Sequence, residues 1–430
     1  MWQGAAGSVL LVALGVTFLL GLGLASYLTL ARQQNVSVAR SHAWNAALAM
    51  AEAGVEESLA HINQGVLISL TNLNRTANGW TFDGTVYRAP RRNLQNGYYD
   101  AYITGDAYPV IYATGYVNAP FFAEPARRAL RVTTATDGLF VAAMAARLDI
   151  DFKGFGVETD SFDSSSALYS TDGKYDPTKN KDNGDVATTM GLLNVGNAKV
   201  MGTLRTGPEG NIQIGAQGSV GDQDWVDGGT RNLQPGHYLN DFNVDFPDVM
   251  VPFTSGLVPQ SMTIDGTNCY WVLENGDYVP GSSAATTLPN KETILVTGKA
   301  RLYIPGDFTM VGSSQIVVAS GGSLAIYVGG ANTTITKINV IDGNCANFNY
   351  FGLPSNESIS MSGNDAMLAT IYAPSAVLTL SGGGSDVIDY QGACVAKSIK
   401  LNGHFKFHYD ENLAKAGPLR AFVAGSWTEL

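Results

Sequence analysis

The chain has 430 residues, enough for two or three domains that each bury a hydrophobic core. Its 26 Lys and Arg against 37 Asp and Glu give a formal net charge of −11, which argues against nucleic acid or an anionic membrane surface as the main partner. Only 15% of the residues are charged and 49 are glycine, a composition typical of a β-rich extracytoplasmic protein rather than an ordinary α/β enzyme.

The first predicted element is a membrane-spanning helix over residues 9–30. This stretch, VLLVALGVTFLLGLGLASYLTL, has 22 residues and no charge. As a helix it would rise about 33 Å at about 1.5 Å per residue, the thickness of the hydrocarbon core of a bilayer. The preceding MWQGAAG has no Lys or Arg, and no A-x-A cleavage site follows the run. A retained helix is therefore favoured over a cleaved secretory signal.

The helix is predicted to continue well beyond the membrane segment, over residues 8–64 in all. An apolar stripe with spacings of 4, 3, 4, 4 and 3 residues has the period of an amphipathic helix, and we expect it to pack on the chain's own sheet. The stripe comprises Trp44, Leu48, Ala51, Val55, Leu59 and Ile62. Gly65 is a typical residue just past the end of a helix.

An antiparallel sheet is predicted next, over residues 65–137. The stretch GYYDAYITGDAYPVIYATGYVN reads as two strands around a turn, and ARRALRVTTAT reads as a third. Tyr, Ile, Val and Thr dominate these runs, with Gly, Asp and Pro between them. The simplest packing is a meander laid on the preceding helix.

A long helix, apolar and then amphipathic, followed directly by an antiparallel sheet resembles type IV pilins and the pseudopilins of type II secretion. The residues that carry the resemblance are GSVLLVALGVTFLLGLGLASYLTLARQQ and AWNAALAMAEAGVEESL, and it extends to about residue 135. It is most like the minor-pilin branch. The resemblance implies that residues 1–7 form a leader, that a leader peptidase cuts between Gly7 and Ser8, and that the helix leaves the inner membrane to pack with other pilin-like subunits.

One position bears on where such a subunit would lie in a filament. Major pilins carry a glutamate at the fifth residue of the mature chain, which contacts the preceding subunit. Counted from Ser8, that position is Val12 here. The resemblance therefore implies a minor subunit at a filament tip, where no preceding subunit needs the glutamate.

Residues 138–430 are predicted to form a β-rich head. Apolar pairs two residues apart recur every six to eight residues, as at Ile294/Val296, Leu302/Ile304, Phe308/Met310, Ile316/Val318 and Leu324/Ile326. Short strands at this spacing favour a right-handed parallel β-solenoid, and a β-sandwich head is the alternative. The stretch from Ala369 to Leu413 also resembles C-terminal segments of pilin-like bacterial surface proteins that are similar to β-helices.

The search for catalytic or metal-binding residues gives weak candidates. His404 and His408 are expected to form a surface pair on one face of a strand, and no HExxH or GxSxG motif occurs. Four aspartates in a glycine- and asparagine-containing loop are weak Ca²⁺ candidates, and a solvated loop is favoured because three lysines lie among them. These are Asp172, Asp176, Asp182 and Asp185. No other cofactor is implied, and we predict no enzymatic activity.

Cysteines and aromatic residues leave two further questions open. Cys269, Cys345 and Cys394 allow at most one internal disulfide, and the sequence does not choose the pair. Trp225, Trp271, Tyr270 and Trp427, with the many tyrosines, are candidates for a sugar-binding or surface-binding platform.

Together these patterns predict a single-pass membrane protein of the bacterial envelope with an extracytoplasmic head, which would be extracellular in a filament. The favoured function is that of a structural and interaction subunit in a type IV pilus-like or type II secretion-like filament. Its expected partners are other pilin-like subunits and a glycan or surface ligand of the head, and nucleic acid is not expected. The alternative is a membrane-anchored β-helix enzyme or binding module that acts on polysaccharide.

Overall fold

The chain folds into two compact units, and the second is inserted in the sequence of the first. The computed structural model describes residues 5–63, 77–106, 108–120, 122–154, 156–264, 266–282, 285–363, 366–382, 388–416 and 419–430. The first unit comprises Met1–Gln64, Leu73–Thr136 and Phe422–Leu430, and the second comprises Gly65–Asn72 and Asp137–Ala421. The predicted head, residues 138–430, therefore differs from the second unit at its C-terminal end, because the last strand returns to the first sheet.

The first unit is a long helix packed on an antiparallel sheet. Helix α1 spans Ala5–Asn63, and a short 3₁₀ helix spans Ala77–Gly79. The strands are β1 Thr81–Phe82, β2 Val86–Arg88, β3 Arg92–Leu94, β4 Gly97–Thr104, β5 Val110–Val117, β6 Ala126–Gly138 and β34 Leu419–Glu429. Strands β4, β5 and β6 pair antiparallel in sequence order, which confirms the predicted meander, and β34 lies at the edge beside β6. Gly65, the predicted stop, lies outside the described residues.

The second unit consists mainly of short strands. Its helices are α2 Gln223–Asp227, α3 Leu413–Ala416 and a 3₁₀ turn at Cys345–Asn347. The strands up to the middle of the unit are β7 Met144–Ala146, β8 Ile150–Phe152, β9 Glu158–Phe162, β10 Val186–Thr188, β11 Leu192–Gly196, β12 Lys199–Met201, β13 Leu204–Thr206, β14 Asn211–Ile214, β15 Ser219–Gly221, β16 Asn232–Leu233, β17 Tyr238–Leu239, β18 Gln260–Ile264, β19 Thr267–Leu273 and β20 Gly276–Tyr278. The remaining strands are β21 Thr286–Leu288, β22 Thr293–Val296, β23 Lys299–Ile304, β24 Phe308–Met310, β25 Gln315–Val318, β26 Ser323–Val328, β27 Asn332–Ile335, β28 Ile338–Val340, β29 Phe348–Gly352, β30 Ser358–Gly363, β31 Met367–Gly382, β32 Ile388–Gly403 and β33 Phe405–Asp410.

Most paired strands of the second unit are parallel, and part of the stack has a constant register step. Leu302 pairs with Ile326, and Ile326 pairs with Tyr350, so the register advances by 24 residues at each of these steps. Among the described residues, the pairs of strands between β7 and β33 are parallel apart from β18 with β19. The apolar pairs predicted from Ile294 to Ile326 lie in β22–β26 and are buried, which confirms the predicted alternation.

The chain enters this stack of strands in its middle. Met144 in β7, the first strand of the unit, pairs with Cys394 in the long C-terminal strand β32. One continuous ladder of paired residues therefore runs from Tyr278 at one end to Tyr238 at the other. In order of pairing it comprises Tyr278, Leu302, Ile326, Tyr350, Ile371, Cys394, Met144, Val186, Leu204 and Tyr238.

A segment without regular secondary structure, residues 240–258, returns along the stack from one end to the other; we call it the return segment. Near its start, the Phe242 amide donates to the Thr206 carbonyl at 3.0 Å. Near its middle, the Tyr372 hydroxyl donates to the Pro247 carbonyl at 2.7 Å. At its end, Leu257 pairs with Tyr278. After β17, at one end of the stack, the return segment leads the chain to β20 at the other end. The later strands then build the stack back toward its middle, where β32 pairs with β7.

Candidate functional site

The N-terminal half of α1 has the length and composition of a membrane-spanning segment. Helix α1 has 59 residues, about 90 Å at about 1.5 Å per residue. Every residue from 9 to 30 is exposed, and an 18-residue window here has a mean hydropathy of 2.4. Among the described residues this is one helix long and apolar enough to cross a membrane, by length and composition alone. Gly7 and Ser8 lie within α1, and cleavage between them stays a prediction.

The C-terminal half of α1 packs on the sheet through small residues. Of the predicted stripe, Ala51, Val55 and Ile62 are buried and Leu48 and Leu59 are half-buried. Trp44 differs from the prediction, because its side chain is 47% exposed. The Arg128 guanidinium lies 5.5 Å from its ring centroid, so Trp44 packs at the margin of the helix–sheet contact.

Small residues let the helix approach the sheet closely. A Cβ atom added to Gly115 in β5 would lie 2.1 Å from the Ala47 carbonyl oxygen and 2.5 Å from the Ala51 nitrogen. A Cβ added to Gly54 would lie 3.0 Å from the Tyr99 ring. A hydrophobicity pattern cannot reveal these positions, because glycine and alanine contribute little to it.

Glu57 forms a polar anchor between helix and sheet. Its Oε1 accepts a hydrogen bond from Arg92 Nη2 at 2.8 Å, and its Oε2 accepts one from the Tyr99 hydroxyl at 2.6 Å. Burial by itself raises the pKa of the Glu57 carboxyl, but the hydrogen bonds from Arg92 and Tyr99 outweigh burial and lower the pKa below its ordinary value. The predicted apolar stripe does not include Glu57, because Glu57 is charged and lies between Val55 and Leu59 in the sequence.

The end of α1 is joined to the last strand of the chain. The Asn63 side chain donates to the Phe422 carbonyl at 2.9 Å and accepts from the Phe422 amide at 2.6 Å. Both residues belong to the first unit, although 359 residues separate them. At the other end of β34, Glu429 forms an ion pair with Arg128 of β6. The sheet of the first unit is therefore complete only when the C-terminal strand β34 has paired at its edge.

Two of the four aspartates considered as calcium ligands, Asp176 and Asp185, accept hydrogen bonds from neighbouring groups. The Asp176 carboxylate accepts hydrogen bonds from the Thr171 and Thr178 hydroxyls, which lower its pKa to about 2. Asp185 is half-buried and accepts a hydrogen bond from the Thr203 amide at 2.8 Å. Asp172 has a positive φ of 53° in a tight turn, and Asp182 is half-buried. Across the residues that the structure describes, these aspartates form no group of three metal-ligating side chains.

His408 is buried, so the expected surface pair with His404 is wrong for this residue. His408 Nδ1 lies 2.5 Å from Asp160 Oδ1, and the side chains are 4% and 9% exposed. The Tyr175 ring stacks on the imidazole with centroids 3.6 Å apart, and its hydroxyl donates to Asp160 Oδ2 at 2.6 Å. Asn180 donates to the same oxygen at 3.1 Å. Tyr175 and Asn180 belong to residues 163–185 between β9 and β10, which we call the cover loop.

The electrostatics of this cluster favour a charged imidazole. Burial lowers the pKa of His408, but the hydrogen bond with Asp160 and the carboxylate of Asp389 outweigh it and raise the pKa above its ordinary value. Asp389 Oδ1 lies 3.6 Å from Nε2, the distance of an ion pair rather than a hydrogen bond. The imidazole and the Asp160 carboxylate are therefore covered, whereas the Asp389 side chain is exposed.

The aromatic residues proposed as a platform lie in different environments. Trp271 is buried, Trp225 and Tyr270 are half-buried, and Trp427 is 49% exposed.

Cys345 and Cys394 are buried thiols, and Cys345 Sγ lies 3.6 Å from an Asp410 carboxylate oxygen. Burial and the Asp410 charge raise the pKa of the Cys345 thiol.

Comparisons with known proteins find a family match and a distant structural similarity. A family model described as a domain of unknown function (DUF7305) matches residues 209–416. The competence-associated pilin ComZ from Thermus thermophilus shares 13% identity, over 89% of this chain and 96% of that one, with a TM-score of 0.32. No curated protein matches the chain. The family match spans less than half of the chain, and a TM-score of 0.32 by itself assigns neither a fold nor a function.

Proposed function

We propose that the chain is a pilin-like subunit of an envelope filament of the type IV pilus or type II secretion kind, in a minor, tip-located position. We further propose that its second unit is a β-solenoid head displayed for surface contact or adhesion. The observation that carries the proposal is the two-part helix α1. Its first half exposes apolar residues from 9 to 30, and its second half packs on a three-stranded meander through Ala47, Ala51 and Val55.

The two halves of α1 suit the two environments of such a subunit. An exposed apolar helix has to be covered by lipid or by other helices, because its transfer from water is strongly favourable. Before assembly the bilayer provides that cover, and in a filament the helices of neighbouring subunits provide it. The amphipathic half stays with its own sheet in both states, since Glu57 and Gly115 fix it there.

The ladder in the second unit supports a β-solenoid rather than a β-sandwich. Neighbouring strands of the stack pair in parallel, and the register step is 24 residues from Leu302 to Ile326 and again from Ile326 to Tyr350. Sandwich sheets are antiparallel, and their strands are joined by hairpins and Greek-key connections. A solenoid also explains why buried apolar pairs recur on so many short strands, since each turn adds to one continuous core.

A tip position is supported by Val12. A subunit in the shaft has a neighbour preceding it, and in the family that the sequence resembles a glutamate at this position meets that neighbour's terminal amine. Valine offers no charge for that contact.

The mass of the mature N-terminus tests the proposal. The protein is purified from its native membrane and from sheared surface material, in cells with and without the leader peptidase. We expect a chain that begins at Ser8, N-methylated, in peptidase-positive cells, and the full-length chain without the enzyme. A Gly7→Leu variant should stay uncut, and a Gly4→Leu variant should be cut normally. A chain that still carries residues 1–7 in sheared material would overturn the filament proposal.

A further inference from the structure

The outer face of the first sheet carries two matched rows of tyrosine and arginine. Residues that alternate with these along the strands, such as Ile103 and Ile111, are buried on the side of α1. On the opposite face, Tyr98 pairs with Tyr116 and Tyr116 with Arg127, while Tyr102 pairs with Tyr112 and Tyr112 with Arg131. Each row is therefore Tyr–Tyr–Arg across β4, β5 and β6.

Within each row the two tyrosine rings are in contact. The rings of Tyr98 and Tyr116 stack with centroids 4.5 Å apart, and those of Tyr102 and Tyr112 stack at 4.7 Å. Cross-strand aromatic pairs of this kind hold their side chains in a fixed orientation. The four tyrosines are only half-buried, and no described helix or strand of the first unit lies on this face.

Two more arginines close the rows on the other side. Arg91 lies 4.3 Å from the Tyr98 ring centroid, and Arg88 lies 5.1 Å from the Tyr102 centroid. Tyr98 and Tyr102 each lie between an arginine and a second tyrosine, so their ring faces are covered. Tyr112 and Tyr116 each stack on one neighbouring tyrosine, so one face of each of these rings is covered as well. The ring edges, phenol hydroxyls and guanidinium groups of the rows favour hydrogen bonds and ion pairs.

The charge of this face is opposite to that of the chain. Arg88 and Arg91 are paired with Asp83 and Asp100, at 3.1 and 2.9 Å. Arg127 is exposed, and Arg131 donates to the Tyr112 hydroxyl at 3.3 Å. Four arginines against two aspartates leave a local surplus of positive charge in a chain whose net charge is −11.

We propose that this face binds an acidic polysaccharide, with Arg127 and Arg131 holding sugar carboxylates and the tyrosine hydroxyls holding sugar hydroxyls. Arg127 and Arg131 are four residues apart on one strand, about 13 Å at about 3.3 Å per residue, so they meet carboxylates on different sugar units of one chain. Planar guanidinium groups bind carboxylates with two parallel hydrogen bonds. Single-stranded nucleic acid fits less well, because its bases stack on open aromatic faces and Tyr98 and Tyr102 are covered on both faces. The site does not depend on filament assembly.

Binding of the full chain in detergent micelles to immobilised polygalacturonate tests the site, with dextran as the neutral polymer and oligo(dT) as the nucleic acid. The double variant Arg127→Gln/Arg131→Gln removes two charges from the face. The control Arg231→Gln/Lys299→Gln removes two exposed charges from the second unit. We expect the first to weaken polygalacturonate binding at least tenfold and the control to leave it unchanged, and 0.5 M salt to weaken binding by the wild type.

Several outcomes would overturn the proposal. These are no binding of the wild type to polygalacturonate, equal binding to dextran, tighter binding to oligo(dT), or equal losses in both double variants. Circular dichroism of each variant shows whether it folds. If the double variant does not fold, Arg127→Lys gives the same test by its expected intermediate affinity, because lysine keeps the charge and lacks the bidentate geometry.

Discussion

The His408 imidazole and the Asp160 carboxylate join the first and last parts of the inserted unit. Asp160 lies in β9 and His408 lies in β33, 248 residues later, and their side chains meet at 2.5 Å. The same two residues are register partners in the parallel pair of β9 and β33. Tyr175 and Asn180 of the cover loop complete the contact. We therefore expect the stability of the contact between β9 and β33 to depend on the charge of the buried His408 imidazole.

The first prediction concerns pH. Because the pKa of His408 is raised in the folded chain, its charge stabilises the fold fully below the unfolded value of about 6.5, and this stabilisation is lost as the pH rises through the raised folded value. We expect the melting temperature of the second unit to fall between pH 6 and pH 9. Scanning fluorimetry of the full chain measures it. In His408→Gln the slope should be flatter at a lower melting temperature, while His42→Gln, an exposed histidine of α1, should keep the wild-type slope. Equal slopes in His408→Gln and the wild type would contradict this account.

The second prediction concerns the Tyr175 hydroxyl. Tyr175→Phe keeps the ring on His408 and removes one donor from the buried Asp160 carboxylate. A hydrogen bond to a charged group contributes roughly 1.5–3 kcal/mol, so we expect a loss of that size in the free energy of unfolding by urea. Tyr169→Phe, an exposed tyrosine of the same cover loop, is the matched control and should change stability by less than about 0.5 kcal/mol. Equal stabilities of the two variants would show that the hydroxyl contributes nothing.

Local sequence patterns predicted where the strands lie. They did not predict which strands pair with each other, and this pairing determines which side chains meet. Alternation identified β22–β26, because each short strand turns one apolar row, such as Leu302 and Ile304, inward. No local pattern states that β7 pairs with β32, since that contact joins residues such as Met144 and Cys394 across the whole unit. The meeting of Asp160 and His408 follows from that pairing and was beyond sequence reasoning for the same reason.

The helix illustrates a second limit. The spacing of Ala51, Val55 and Ile62 marked the buried side, because a 3.6-residue period places them on one face. The same spacing included Trp44, which is exposed, and omitted Ala43 and Ala47, which are buried. Hydrophobicity indicates which side chains prefer burial. Which residues of α1 are actually buried also depends on how closely the helix backbone approaches the sheet backbone, and small residues allow the closest approach.

The third prediction concerns this close approach. In Gly115→Ala the new Cβ would meet the Ala47 carbonyl oxygen at 2.1 Å, so the helix has to move away from β5. Overpacking of this kind costs roughly 1–3 kcal/mol, and we expect the upper end because the obstacle is backbone. Gly281→Ala, where the nearest atom is 3.6 Å away, is the control. Urea unfolding measures both, and a Gly115→Ala chain as stable as Gly281→Ala would show that the helix lies further from the sheet.

The fourth prediction concerns the return of the C-terminal strand. Asn63→Ala removes both hydrogen bonds with the Phe422 backbone and leaves its amide and carbonyl without those partners. At about 1 kcal/mol for each bond, we expect the first unit to lose about 2 kcal/mol. Hydrogen exchange at the Phe422 amide should become faster, because β34 is an edge strand that opens locally. Asn118→Ala, an exposed asparagine of the same unit, should leave this exchange unchanged. If exchange at Phe422 is equally slow in Asn63→Ala, β34 is held by its pairing with β6 alone, and the end of α1 takes no part in closing the sheet.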